Sequence, residues 1–374
     1  MDNEGGGGAY AVSAGPRARR ALGVVTAVVT AALVAGCGGA SPPPSASLTV
    51  RGIELPVFEK SCPLKPGASS VVPVNVVRTA IVANVCIGGE GPFPFLVDTG
   101  GATTLLDSSL AARLHLDLVD GPRTVRSFTC QRQISFAALQ RWSVGNTALL
   151  PQTVEVGGVR SPAFPNLGGV LGSSTLSGFG AVRIDYRQQI LTLGPQEAPL
   201  VSNVAGRSGP PSVPTSLTEG TSFASPMPVK VVSERLSPDH LRLIGVRPTV
   251  DLAFGPTRLT LTLDSGAGAT NLAPSVVKKL GLAPAGPPGA AYAGLDCPVD
   301  VNHYTMGPAM LGKVQLRPQT VGSNFIPPGT VGVLGSGTLI DYSPVLVDYV
   351  DGELFLGHGP QAQAASPAGP ISSG

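Results

Sequence analysis

Between about residues 71 and 358 the chain writes one segment twice, and this repeat restricts its folding more than any other feature. Phe95-Leu96-Val97-Asp98-Thr99-Gly100-Gly101 returns 166 residues later as Leu261-Thr262-Leu263-Asp264-Ser265-Gly266-Ala267. Leu110, Leu114 and Leu116 return as Val276, Leu280 and Leu282 at the same spacing. Cys130 and Pro151-Gln152-Thr153-Val154 return as Cys297 and Pro318-Gln319-Thr320-Val321 after 167 residues. Val170-Leu171-Gly172-Ser173, Ile184-Asp185-Tyr186 and Leu191-Thr192-Leu193-Gly194 return after 163, as Val333-Leu334-Gly335-Ser336, Val347-Asp348-Tyr349 and Leu354-Phe355-Leu356-Gly357. So few register changes over a whole lobe make coincidence improbable. The chain is one lobe written twice.

Each copy is rich in short apolar runs bounded by Gly and Pro, which total 49 and 37 in 374 residues, while charged residues make up only 13%. That pattern predicts a mainly β protein with few surface helices. One short helix is expected in each lobe, the first capped by Asp107 or Ser108. The predicted organisation is a targeting segment at 1–37, a tether or pro-like arm at 38–70, an N-terminal lobe at 71–200 and a linker at 201–225. A C-terminal lobe at 226–358 and a polar tail at 359–374 complete it.

At the N-terminus, Arg17, Arg19 and Arg20 precede 16 apolar residues, 21–36, a run short for a membrane span. It ends in Leu33-Val34-Ala35-Gly36-Cys37, which resembles a bacterial lipobox and implies lipid attachment at Cys37; a plain signal peptide or short anchor helix is the competing reading. Export would place the chain outside the cytoplasm, held to the membrane by lipid, where disulfides persist. A net charge of +2 gives no electrostatic case for nucleic acid.

Both repeated triplets deliver an aspartate at the end of an apolar strand, then a hydroxyl residue, then a glycine. A carboxylate in that position needs hydrogen bonds around it, which a tight turn of backbone N–H groups supplies. Two lobes related by an approximate two-fold axis bring equivalent residues together. Asp98 and Asp264 would then be neighbours sharing one proton, the effect for which aspartic proteases are the standard case. One carboxylate could take a proton from a water between them while the other polarised a peptide carbonyl, with no metal or cofactor. The four histidines, His115, His240, His303 and His358, have no metal spacing, and no serine-hydrolase or phosphate-loop motif is present. Trp142 and Phe128 suit a β core or flap better than a cofactor site.

These triplets, each followed by an apolar-apolar-Gly element, resemble the pepsin and retropepsin aspartic proteases, and the exported form is similar to the mycobacterial proteases associated with PE-type surface proteins. The resemblance implies two pseudo-two-fold-related, β-barrel-like lobes with a cleft between them. It implies Asp98 and Asp264 as the dyad, and Thr99 and Ser265 exchanging hydroxyl-to-backbone bonds across the axis. Gly100 and Gly266 would complete the triplets, with Gly172 and Gly335 passing beside the aspartates. The activity implied is endopeptidase cleavage of extended segments of exported or cell-envelope proteins by a monomer; a silent peptide-binding or assembly module on the same fold is the alternative. Where pepsin-like chains carry Ser or Thr after the triplet, this one has Gly101 and Ala267. Fewer donors to the carboxylates imply raised pKa values and a mildly acidic optimum. No flap tyrosine is evident; the flap is expected as a hairpin over 125–136, with Phe128, Cys130 and, in the second lobe, Cys297 as candidates. In a retropepsin-like arrangement Cys130 and Cys297 could bridge the flap tips, leaving Cys62 to pair with Cys86. Alternatively, the two flap cysteines stay single or pair with Cys62 or Cys86.

Overall fold

The computed structural model describes residues 54–55, 62, 70–127, 130–159, 164–195, 215–219, 221–235, 244–293, 297–324, 326 and 330–358. The targeting segment with Cys37, most of the arm and the C-terminal tail lie outside the described residues, as do Phe128 and the side chain of Cys130. No helix among the described residues is long and apolar enough to cross a membrane.

Strands dominate, and the described ones form two sheets of 15 and 11 strands that do not close into barrels. Strand Ala80–Ile87 is buried throughout and pairs antiparallel with Glu90–Asp98, which ends on the first aspartate. Strand Ile244–Phe254 pairs in the same way with Thr257–Asp264, which ends on the second. Each aspartate strand then takes a parallel neighbour from the repeated Val-Leu-Gly element. Asp98 faces Gly172 in register, and Asp264 faces Gly335.

Side chains alternate along these strands. Phe95 and Val97 enter the main core with Ile81, Leu106 and Leu171. Leu96 points the other way and joins Val82, Leu105 and Val170 in a separate apolar cluster. Asp98, two residues beyond Leu96, shares that second face. The helix of each half follows its aspartate strand at the repeat spacing, as Ser108–Arg113 and Pro274–Leu280. Asp107 caps the first by accepting from the N–H groups of Ser109 and Leu110. The second begins on proline, whose fixed φ suits a first helical turn.

The halves are joined by strands that are themselves repeat equivalents. Ala181–Asp185 pairs antiparallel with Val345–Asp348, and each is backed by the next strand of its own half, Ile190–Leu193 and Glu353–Leu356. Antiparallel pairing between equivalents is what a two-fold axis through a sheet requires. Within the 201–225 stretch, Leu217 is fully buried against Ala181 and Leu346, and Phe223 bridges to Gly357 and stacks edge-on with Phe355. The arm is fastened to the first half by a Cys62–Cys86 disulfide.

Candidate active site

The two triplets meet at the axis. Thr99 and Ser265 are buried, at 1% and 0% exposure, and their hydroxyls make four bonds between the halves. Thr99 Oγ1 donates to the Leu263 carbonyl at 2.8 Å and accepts from the Ser265 N–H at 3.0 Å. Ser265 Oγ donates to the Val97 carbonyl at 2.9 Å and accepts from the Thr99 N–H at 3.0 Å. Every donor and acceptor in this reciprocal set is satisfied, so the loops are held as one unit.

Each carboxylate is also held by its own turn. Asp98 Oδ1 accepts from the N–H groups of Gly100 and Gly101, both at 2.9 Å, and Asp264 Oδ1 from those of Gly266 at 3.0 Å and Ala267 at 2.7 Å. The triplet glycines permit the aspartates to approach each other. A Cβ on Gly100 would stand 2.3 Å from Asp264 Cγ, and one on Gly266 would stand 2.5 Å from Asp98 Cγ. Gly172 and Gly335 are required by a different close approach, that of the backbone following each triplet. A Cβ there would meet the carbonyl oxygens of Thr103 and Ala269 at 2.1 and 2.3 Å.

Both carboxyls titrate above their ordinary range. Burial is the main cause for each; for Asp264 the neighbouring Asp98 charge adds to it, and the hydrogen bond between the two side chains raises Asp264 while lowering Asp98. Two carboxyls held this close and buried this deeply titrate as one coupled pair and share a proton between them. No side-chain hydroxyl follows either triplet, and the Gly101 and Ala267 positions contribute only their backbone N–H groups.

A second ring of hydroxyls, which sequence reasoning did not assign, supports the loops from below. Ser173 Oγ donates to the Thr99 carbonyl at 2.7 Å and contacts Tyr349 Oη at 2.9 Å. Its repeat equivalent Ser336 donates to the Ser265 and Ala267 carbonyls at 2.5 and 3.1 Å. Tyr186, the equivalent of Tyr349, lies beside Ser336 but outside hydrogen-bond geometry. Each tyrosine thus belongs to one half and its serine to the other. Thr104 and Thr175, at 2.6 Å, repeat as Thr270 and Thr338, at 2.7 Å. Gln152 and Gln319 bond to Thr175 and Thr338, which gives the repeated glutamine a structural role.

The expected flap is a hairpin of Leu118–Ser127 and Cys130–Leu139 whose turn lies outside the described residues. Its counterpart is Gly289–Ala293 with Cys297–Met306. Cys297 is fully buried and disulfide-bonded, and with Cys62 and Cys86 joined to each other its partner falls outside the described side chains. Two surface grooves are also repeat equivalents, one lined by Phe93, Leu110 and Arg113 and the other by Leu259, Val276 and Lys279. Neither includes an aspartate of the pair.

No curated protein matches the chain. Residues 83–175, which carry the first triplet, the hairpin of Leu118–Ser127 with Cys130–Leu139 and the first Val-Leu-Gly element, match the family model described as aspartyl protease.

Proposed function

We propose that the chain is an aspartic endopeptidase in which Asp98 and Asp264 activate one water between them. Asp98, ionised, takes a proton from that water as its oxygen attacks the peptide carbonyl carbon. Asp264 gives its proton to the carbonyl oxygen, forming a neutral tetrahedral diol. Asp98 then passes the proton it gained to the amide nitrogen, Asp264 recovers one from a diol hydroxyl, and the C–N bond breaks. Atoms and protons balance, with one water consumed per bond. The observation that supports this reading best is the reciprocal bonding of Thr99 and Ser265, which holds the two aspartate loops together with their carboxylates side by side.

The substrates in this reading are extended segments of exported or cell-envelope proteins, reached by a monomer held to the membrane through lipid at Cys37. Incubating the protein with an unfolded protein substrate at pH 4–6 tests the mechanism. Cleavage should disappear in Asp98→Asn and Asp264→Asn and be blocked by pepstatin. Cleavage that survives all three refutes the dyad. Binding of peptides without turnover in the unaltered chain would instead indicate a silent module.

A further inference from the structure

The two tyrosines under the dyad are buried titratable groups that the proposed mechanism does not use. Ser173 Oγ gives its proton to the Thr99 carbonyl at 2.7 Å, so the 2.9 Å contact with Tyr349 Oη is a bond that the tyrosine donates. The Thr99 carbonyl belongs to the peptide whose N–H, on Gly100, donates to Asp98 Oδ1 at 2.9 Å. Tyr349, Ser173 and one peptide group therefore form a single chain of donors that ends on the Asp98 carboxylate. Each bond in such a chain polarises the next, and a stronger donor to the ionised form favours ionisation.

The second half lacks the outer link. Ser336 stands where Ser173 does, and the peptide that carries the Ser265 carbonyl donates through the Gly266 N–H to Asp264 Oδ1 at 3.0 Å. Ser336 Oγ, however, divides its proton between the Ser265 and Ala267 carbonyls, at 2.5 and 3.1 Å, and the buried Tyr186 hydroxyl makes no bond. The repeat builds two equivalent loops, and one tyrosine bond makes them unequal.

Few titratable groups face this chain. Tyr349 acts on Asp98, Tyr186 on Asp264, and the two aspartates on each other. Asp185 and Asp348, one residue before each tyrosine, accept from N–H groups of their own turns, and Arg183 pairs with Asp185 at 3.2 Å. Burial pushes both phenols up, so each tyrosine is neutral throughout the acidic range.

We propose that Tyr349 is a positioning residue of the dyad: through Ser173 and the Thr99–Gly100 peptide it commits Asp98, rather than Asp264, to take the proton from water. The chemical consequence rests on the protease reading, whereas the inequality of the two carboxyls exists with or without turnover.

The test compares the unaltered chain with Tyr349→Phe, Tyr186→Phe, Ser173→Ala and the Ser173→Ala/Tyr349→Phe double variant. One readout is the NMR titration of the two side-chain carboxyl carbons in protein labelled with carbon-13 aspartate. Each signal is identified by its loss in Asp98→Asn or Asp264→Asn. The other is the pH dependence of kcat/KM on one peptide. In the unaltered chain the Asp98 carbon should carry most of the change at the lower of the pair's two steps. Tyr349→Phe should spread that change toward Asp264 and raise the step by about 0.3 pH unit, the weight of one link in a cooperative chain. The acid limb of kcat/KM should rise with it, and Tyr186→Phe should leave both titrations in place. The double variant should titrate as Ser173→Ala does, because the tyrosine acts only through that serine. Equal titration of the two carbons in the unaltered chain, an unmoved step in Tyr349→Phe, or shifts that add in the double variant overturns the relay while cleavage, and with it the protease reading, stands. The expected titrations without cleavage in any form keep the relay and remove the protease reading.

Discussion

Gly100 lies so close to Asp264 that a Cβ added to it would sit 2.3 Å from the carboxylate carbon, and Gly266 stands in the same relation to Asp98. Each half thus supplies the space into which the other half's acid fits. Gly100→Ala and Gly266→Ala should each push the carboxylates apart and lower kcat/KM by about 100-fold or more, the usual cost of a displacement near 1 Å at a reacting centre. Gly268→Ala is the control, since its Cβ would meet only Thr79 Oγ1, at an ordinary 3.5 Å. Steady-state kinetics on all three would decide the matter; equal losses would mean that loop flexibility, not the close approach, is what matters.

The two tyrosines under the loops are equivalent by repeat but not by bonding. Tyr349 contacts Ser173 at 2.9 Å, whereas the buried Tyr186 hydroxyl has no bond. Tyr349→Phe should cost about 1 kcal/mol, a typical net value for one hydrogen bond, while Tyr186→Phe should be neutral or stabilising because it deletes an unsatisfied group. Urea midpoints of the two variants provide the measurement. Equal destabilisation would show that both hydroxyls are bonded in solution.

The aspartates, their hydroxyl partners and the Val-Leu-Gly elements were legible because each recurs at a constant spacing, and repetition separates a site from an ordinary strand end. The Asp107 cap and the Cys62–Cys86 pair were legible from local chemistry and from cysteine arithmetic, the latter as one of several possibilities. Leu55 was not. A single leucine in an arm carries no period, and its partners Leu96 and Val170 look like any other strand residues until alternation assigns them to the Asp98 face. The Ser173–Tyr349 contact spans 176 residues, and nothing local marks either residue as a partner of the other. The repeated Ser after each Val-Leu-Gly and the repeated Asp-Tyr were the available signals, but repetition alone does not say which two repeats touch.

Raised carboxyl pKa values make the dyad a stability cost at neutral pH. With the folded-state values of Asp98 and Asp264 above the ordinary one, the native chain binds more protons than the unfolded chain between the two values. Stability from this source is present below about pH 4 and is lost as pH rises through the folded-state range. Asp264→Asn removes one carboxyl of this buried pair. Its melting temperature should therefore exceed that of the unaltered chain at pH 7, with the advantage shrinking as the pH falls below about 4. Thermal melts across pH 3–8 measure it, and a variant less stable at pH 7 would contradict the burial of these charges.

The position after each triplet sets where the pair works. Ala267 already places its backbone N–H 2.7 Å from Asp264 Oδ1, so Ala267→Ser adds a hydroxyl donor beside a carboxylate that has none. A donor to the ionised form favours ionisation and lowers the pKa. In the proposed mechanism Asp264 holds its proton to polarise the substrate carbonyl, so the basic limb of the kcat/KM profile should move to lower pH while the acid limb, assigned there to Asp98, stays in place. Gly101→Ser is the less clean experiment, because the new Cβ would stand 2.9 Å from Asp98 Oδ2 and force a shift of the carboxylate itself. A pH–rate profile of Ala267→Ser whose basic limb stays fixed or moves upward would reverse the assignment of the proton to Asp264.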